Sequence, residues 1–213
     1  MSTSESGGHL TASELKSSDP NRFQREYLKW TEYACDYDWW DYIEERLKEQ
    51  LEPAGVHDIK LHFSLSYSQG DYATFEGRID VHKWMDVTKD GDQTYAEKYP
   101  ALRLAMEDYG DYASVTTYNR DCGARVNLDG GCVGNTYPEG IFAGLEPEAW
   151  DELVSDQFDS AGLEQALQDY VDNISRQLYR DLRDEYEHLT SEESFIESCE
   201  CNEVTFEIEE CEA

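Results

Sequence analysis

Basic residues are scarce in this sequence. It has 17 Lys and Arg against 48 Asp and Glu, which gives a formal net charge of -31. Contacts with nucleic-acid phosphates need clustered Lys and Arg, so direct binding to DNA or RNA is not expected. The expected partner is instead a basic surface on another protein or complex, and the sequence leaves the oligomeric state open.

Long apolar stretches are missing too. No stretch approaches the roughly 18 apolar residues that indicate a membrane span, and the N-terminus lacks a basic segment followed by an apolar one. The sequence therefore predicts a cytoplasmic protein without membrane contact.

Catalytic and cofactor motifs are absent as well. There is no Gly-rich phosphate loop, no Gly-x-Ser-x-Gly elbow and no His-Glu-x-x-His motif. Six cysteines are too few for a disulfide framework in 213 residues, so reduced thiols are expected. Cys199-x-Cys201 with Cys211 is a weak zinc signal, because structural zinc sites usually show paired knuckles. No catalytic residue, metal or cofactor is predicted.

Apolar and aromatic residues, by contrast, are plentiful. They make up 39% and 13% of the chain, whereas disordered acidic proteins are poor in both, so the chain should fold. Residues 1–20 are rich in Ser, Gly and Glu and lack periodic apolar positions, which predicts a mobile N-terminal tail. Residues 21–213 are expected to form a single acidic domain.

Helical periodicity appears near both ends of the ordered chain. Apolar residues recur from Phe23 to Ala34 and again from Trp40 to Leu51, with Asp36 or Asp38 as the expected N-cap of the second helix. A long helix is predicted from Leu163 to Leu182.

Thr190 and Glu193 have the spacing of a capping box before a further helix. Alternation at Val204, Phe206 and Ile208 then predicts a final strand.

A β-hairpin is the clearest feature between these helices. Odd-numbered residues from Ile59 to Tyr67 and from Ala73 to Val81 are mainly apolar, and they alternate with polar ones. Residues directly opposite each other share a face, so odd-numbered residues must pair with odd-numbered ones, which favours a loop of three or five residues. Gly70 is expected to supply a positive φ angle there, and Gly77 to make room opposite Phe63 or Leu65.

The middle of the chain gives weaker signals. A short helix is predicted at Ala101–Tyr109, strands at Tyr112–Tyr118 and Ala124–Leu128, and a short helix from Trp150 to Phe158. The Gly-rich segment between them, residues 129–147, is expected to be a functional or mobile loop. The predicted fold is α+β, with a mixed or antiparallel sheet around the hairpin, covered by the N-terminal and C-terminal helices.

Three stretches resemble a family of uncharacterised tailed-bacteriophage and prophage proteins. They are Asp38-Trp39-Trp40-Asp41-Tyr42, the hairpin segment Ser68-Gln69-Gly70-Asp71-Tyr72-Ala73-Thr74-Phe75-Glu76-Gly77, and the helix end Leu182-Arg183-Asp184-Glu185-Tyr186-Glu187-His188-Leu189-Thr190-Ser191. Tyr72 stands where that pattern has a second Gly. The resemblance implies a phage accessory gene product acting in the bacterial host cytoplasm, and it brings no activity with it.

The acids are concentrated late in the chain, where Asp151–Ala213 holds 20 acids and 3 bases. This distribution favours mimicry of nucleic acid, in which an acidic face blocks the basic channel of a host defence complex such as a CRISPR effector or restriction enzyme. General solubility or adaptation to high salt remains the plain alternative. The predicted partner-binding residues are Glu164, Asp169, Asp172, Asp181, Asp184, Glu185, Glu187, Glu203, Glu207 and Glu209.

Two other functions fit the hairpin. Its corner, formed by Gln69, Gly70 and Asp71, could bind a host factor in a phage regulatory or assembly protein. Alternatively, Asp71 and Glu76 could form the carboxylate pair of a small hydrolase.

Overall fold

The computed structural model describes residues 8–65, 70–100, 103, 112–117, 124–129 and 160–208. The fold is α+β, as predicted. The chain divides into two compact units, whereas the sequence suggested one domain. Unit 1 comprises Met1–Trp39 and Arg183–Ala213, and unit 2 comprises Trp40–Leu182.

Unit 1 begins with strand β1 (His9–Leu10) and helices α1 (Ala12–Ser18) and α2 (Pro20–Thr31). The mobile tail predicted over residues 1–20 is therefore wrong for residues 8–20; residues 1–7 lie outside the described part. Thr11 and Glu14 form a capping box at the start of α1. Leu15 of this short helix is fully buried. Removing its apolar side chain from water stabilises the helix in the fold.

Three C-terminal elements complete unit 1. They are the end of helix α6 (Ser160–Leu189), helix α7 (Glu192–Cys201) and strand β8 (Phe206–Glu207), which pairs antiparallel with β1. The predicted last strand is thus confirmed but short. One buried apolar cluster of the unit consists of Ala12, Leu15, Phe23, Phe195 and Cys199.

The cap of α7 differs from the prediction. Ser191 is the N-cap, and its side chain accepts a hydrogen bond from the backbone N–H of Ser194. The hydroxyl of Thr190 instead donates to the carbonyl of Tyr186, one turn back in α6. The capping box predicted for Thr190 and Glu193 is therefore wrong by one residue.

Unit 2 is built around an antiparallel sheet of four strands, which are, in spatial order, β2 (Val56–Ser64), β3 (Tyr72–Asp80), β6 (Tyr112–Thr117) and β7 (Ala124–Asp129). The two weakly predicted strands in the middle of the chain are confirmed as β6 and β7. The elements of the unit before α6 are α3 (Asp41–Leu51), a 3₁₀ turn (Glu52–Ala54), β2 (Val56–Ser64), β3 (Tyr72–Asp80), α4 (Val81–Val87), β4 (Lys89–Asp90), β5 (Gln93–Thr94), α5 (Tyr95–Lys98), β6 (Tyr112–Thr117) and β7 (Ala124–Asp129).

The hairpin β2-β3 has the predicted parity. Leu61 lies opposite Phe75, and Phe63 lies opposite Ala73. The register shifts by a bulge between His57 and Lys60. Gly77 therefore does not face Phe63 or Leu65 as predicted: a Cβ on it would lie 2.9 Å from the carbonyl oxygen of His57.

Helices α3 and α6 provide much of the apolar core of unit 2. The predicted stripe of α6 is buried at Leu163, Leu167, Ile174, Leu178 and Leu182, and Val171 joins it. On α3, Ile43, Leu47 and Leu51 are buried.

Two predicted boundaries in unit 2 are wrong. Helix α3 starts after Trp40, which makes no side-chain cap, so neither Asp36 nor Asp38 is its N-cap. Val81, predicted in a strand, opens α4, because the side chain of Asp80 caps that helix at Lys83 N. The predicted helix at Trp150–Phe158, the loop at 130–147 and, apart from Arg103, the helix at Ala101–Tyr109 lie outside the described residues.

Candidate functional site

The carboxylates of α6 in unit 2 do not form one continuous row. Successive residues of an α-helix are turned by about 100°, which places Asp169 and Asp172 on the side opposite the buried stripe. Arg176 and Arg180 occupy the following turns of that side, and all four are exposed. The phosphate-like track predicted along this helix is therefore interrupted by two cations.

Three of these carboxylates are held by glutamines one turn earlier in the helix. Such pairs stabilise a helix and restrict the rotamers of both side chains. The donating side chains and their carboxylate acceptors are Gln165 and Asp169, Gln168 and Asp172, and Gln177 and Asp181, each at 2.8 Å. Asp181 also forms an ion pair with Arg46 of α3, so it is neutralised within unit 2.

The hairpin corner and the acidic helix meet in one open groove of unit 2. It has a volume of about 680 Å³. Three carboxylates, two guanidinium groups and two phenol rings are present, so it suits a charged segment better than an apolar ligand. We name it the corner groove; its lining residues are Asp71, Tyr72, Ala73, Ala124, Asp169, Asp172, Ser175, Arg176, Tyr179 and Arg180.

The hairpin corner itself is partly described. Gly70 has the predicted positive φ, at 148°, and Asp71 reaches the corner groove, while Gln69 lies outside the described residues. Asp71 and Glu76 are not a catalytic pair, because five residues of extended strand span about 16 Å. Glu76 lies 3.2 Å from His62 instead.

A side-chain amide closes the edge of the sheet beside the corner groove. The side-chain carbonyl of Gln168 accepts the backbone N–H of Val126 at 3.0 Å. Its amino group donates to the carbonyl of Ala124 at 2.9 Å and to Asp172. Both N–H groups of this amide donate a hydrogen bond and its oxygen accepts one. These three bonds fix the orientation of the amide.

The predicted carboxylates of unit 1 lie in varied surroundings. Glu187 is paired with Arg183 at 2.7 Å, and Glu185 is half-buried, whereas Asp184, Glu203 and Glu207 are exposed. Glu209 lies outside the described residues, as does the side chain of Glu164, which belongs to α6 in unit 2.

Helix α7 carries a carboxylate row that the sequence reasoning missed. Glu193, Glu197 and Glu200 are exposed and, at i, i+4 and i+7, lie on one face of the helix. None of the three forms an ion pair within the described residues. The 4-3 spacing of glutamates is visible in the sequence, but the predicted capping box gives Glu193 a different role. We name these residues the α7 row.

Metal and thiol chemistry find little support in the described part of the chain. There, no group of three or more His, Cys, Asp or Glu side chains could hold a metal ion. Burial raises the pKa of the Cys35 and Cys199 thiols, which keeps them protonated and weakens them as nucleophiles. Cys122, Cys132 and Cys211 lie outside the described residues.

One ionic cluster at the surface of unit 2 has a structural role. Arg103 donates two hydrogen bonds to Asp86, at 2.9 and 3.0 Å, and holds the pKa of that carboxyl below its usual range. His82 lies 3.8 Å from the same carboxylate. These groups tie α4 to Arg103 and do not line the corner groove.

Comparison with known proteins gives a family but no activity. A family model described as Domain of unknown function (DUF8835) matches residues 39–192. The matched range contains all of unit 2 and ends before the α7 row. No curated protein and no solved structure matches the chain. Among the described residues, no helix has both the length and the apolar character needed to cross a membrane.

Proposed function

We propose that this chain, which belongs to the DUF8835 family of unknown function, mimics nucleic acid. In this proposal the protein occupies the basic channel of a nucleic-acid-binding protein and blocks it. It has no catalytic role of its own.

The α7 row is the observation that carries the proposal. Its three carboxylates are exposed, share one helix face and lack cationic partners among the described residues. The helix already holds the backbone of the three glutamates in place, so only their side chains have to be ordered on binding, which lowers the entropic cost of association.

The spacing of the α7 row is of the same order as that of a phosphate track. At a rise of about 1.5 Å per residue, its three charges are about 5 Å apart along the helix. One strand of duplex DNA carries one charge per about 3.4 Å of axis. The exposed Glu203 and Glu207 follow α7 in unit 1 and add to its negative field.

The proposed setting is a bacterial cell infected by a phage. The resemblance to phage and prophage proteins supports this setting, and a strongly acidic inhibitor of a CRISPR effector or restriction enzyme would act there in the cytoplasm. Electrostatic attraction between such a protein and a basic channel speeds association and weakens with salt.

Affinity capture from a bacterial lysate tests the proposal. At low salt the protein should retain a nucleic-acid-binding protein, which high salt or an excess of duplex DNA or RNA releases. The double variant Glu197→Lys/Glu200→Lys should lower the affinity for that protein at least tenfold, since two attractive contacts become repulsive.

A matched control separates the α7 row from net charge. Glu45→Lys/Glu49→Lys changes the charge by the same amount at two exposed positions of α3, and it should change the affinity less than twofold. Equal losses in both variants, or a complex that nucleic acid does not displace, would contradict mimicry by the α7 row.

A regulatory protein that binds a host factor through the hairpin corner is the second candidate. It is favoured by the corner groove, in which Asp71 and Tyr72 of the corner lie together with residues of α6. Under this alternative, Asp71→Asn/Tyr72→Ala abolishes binding to the captured protein, and the α7 row variant leaves the affinity unchanged.

A further inference from the structure

The outer edge of β7 is occupied by a side chain in the manner of a neighbouring strand. Residues of an antiparallel strand alternately direct both backbone groups towards and away from a given neighbour. The carbonyl of Ala124 and the N–H of Val126 point away from β6, since both form hydrogen bonds with the side chain of Gln168. One carbonyl and one N–H of a passing peptide would satisfy the same two groups.

Among the described strands, β7 is at the edge of its sheet. An exposed edge is a template for another strand, and proteins commonly cover such edges. Gln168 covers this one with two hydrogen bonds, which an incoming strand could replace one for one. Such an exchange has a small net cost, because each of the two backbone groups has a partner before and after it.

We propose that the β7 edge docks an extended, basic segment of the protein's partner, with Gln168 as a removable cover. The inference rests on the proposed function, since it assigns the basic partner a second contact in unit 2. Asp71, Asp169 and Asp172 line the corner groove together with Ala124 and outnumber its two guanidinium groups, so the docked strand lies next to a net negative charge. Lys or Arg side chains of that strand would bind there.

Charge decides between a partner segment and a second copy of this chain. At a net charge of -31, two copies repel each other. A basic segment is attracted by the same field. Main-chain hydrogen bonds then supply affinity and the carboxylates supply specificity, as in other cases of strand addition.

The experiment uses a defined peptide, acetyl-(Lys-Val)₄-amide, and an analogue methylated on every backbone nitrogen, because methylation of alternate nitrogens would leave one edge of the strand able to pair. The two have equal charge, but the methylated one cannot complete a strand ladder. Both are titrated against the wild-type protein, Gln168→Ala and the matched control Gln165→Ala. Gln165 makes the same type of contact, to Asp169, away from the sheet.

The unmethylated peptide should bind Gln168→Ala at least five times more tightly than the wild type or Gln165→Ala. It should also slow hydrogen exchange at the Val126 amide of the wild type. The methylated peptide should bind all three proteins alike and leave the exchange rate of that amide unchanged.

Equal binding of the two peptides to Gln168→Ala would overturn strand docking while leaving the proposed function intact. Self-association of Gln168→Ala without peptide would also overturn it, because the edge would then select a second copy. If Gln168→Ala bound neither peptide at low salt, strand docking would fail too, whereas failure of the proposed function is read separately, from the lysate capture and the α7 row variant.

Discussion

Gly77 shows how a single residue without a side chain shapes the hairpin. It faces the bulge of β2, where the register shifts and Asp58 takes a φ of 55°. The carbonyl oxygen of His57 lies 2.9 Å from where a Cβ would be. The backbone of the two strands can therefore approach this closely only because the residue is glycine.

Gly77→Ala should destabilise the protein by about 1–3 kcal/mol, the cost of inserting a methyl group where there is no room. Lys60→Ala, at an exposed position of the same hairpin, should change the free energy of unfolding by less than about 0.5 kcal/mol. Urea denaturation of both variants measures the difference. A stable Gly77→Ala protein would mean that the bulge moves aside at little cost.

At the scale of elements, the sequence predicted the long ones and missed several of the short ones, among them α1. The stripe of α6 and the parity of the β2-β3 hairpin are readable because many apolar side chains repeat with one period. Helix α1 has only Ala12 and Leu15 buried, too few for a period. Its capping box at Thr11 and Glu14 was nevertheless present in the sequence and could have revealed the helix.

Parts of the site could be predicted and their combination could not. Acidity on α6 and the special backbone at Gly70 both follow from local sequence. The meeting of Asp71 with Asp169 and Asp172 depends on tertiary packing across about 100 residues of chain, which local patterns do not encode. Gln168 can cover the sheet edge only because the fold brings β7 next to α6. A single glutamine in a predicted helix does not indicate such a contact.

The cap of α7 provides a test at the element scale. Ser191→Ala should destabilise unit 1 by about 1 kcal/mol, because it removes the acceptor for the Ser194 N–H at the start of the helix. Thr190→Ala should lower the free energy of unfolding by less. Its hydroxyl donates to the carbonyl of Tyr186 at the end of α6, and water can replace that hydrogen bond.

Hydrogen exchange of the Phe195 and Cys199 amides reports on α7 in the two variants. A larger loss of protection in Thr190→Ala than in Ser191→Ala would instead support the capping box that the sequence suggested.

For the whole molecule, the distribution of charge matters more than its total. Unit 1 holds 19 acids and 5 bases in 70 residues, whereas unit 2 holds 29 acids and 12 bases in 143. The excess per residue is thus nearly twice as large in unit 1. Repulsion within a folded unit opposes its compaction, so unit 1 should gain more when that repulsion is screened.

Raising the concentration of NaCl should therefore stabilise the protein, and unit 1 more than unit 2. The Debye length falls from about 30 Å at 0.01 M to about 3 Å at 1 M salt, which screens carboxylates from one another across a whole unit. Calorimetry should show a rising Tm, and hydrogen exchange should show a greater gain of protection at Phe195 in unit 1 than at Phe75 in unit 2. Both residues are buried, so their amides report on the two cores.

Glu197→Lys/Glu200→Lys removes part of the repulsion in unit 1 and should reduce the salt effect there. A Tm that does not change with salt would mean that repulsion is already relieved within the fold, and the α7 row would then lack the unsatisfied negative potential on which binding to a basic channel depends.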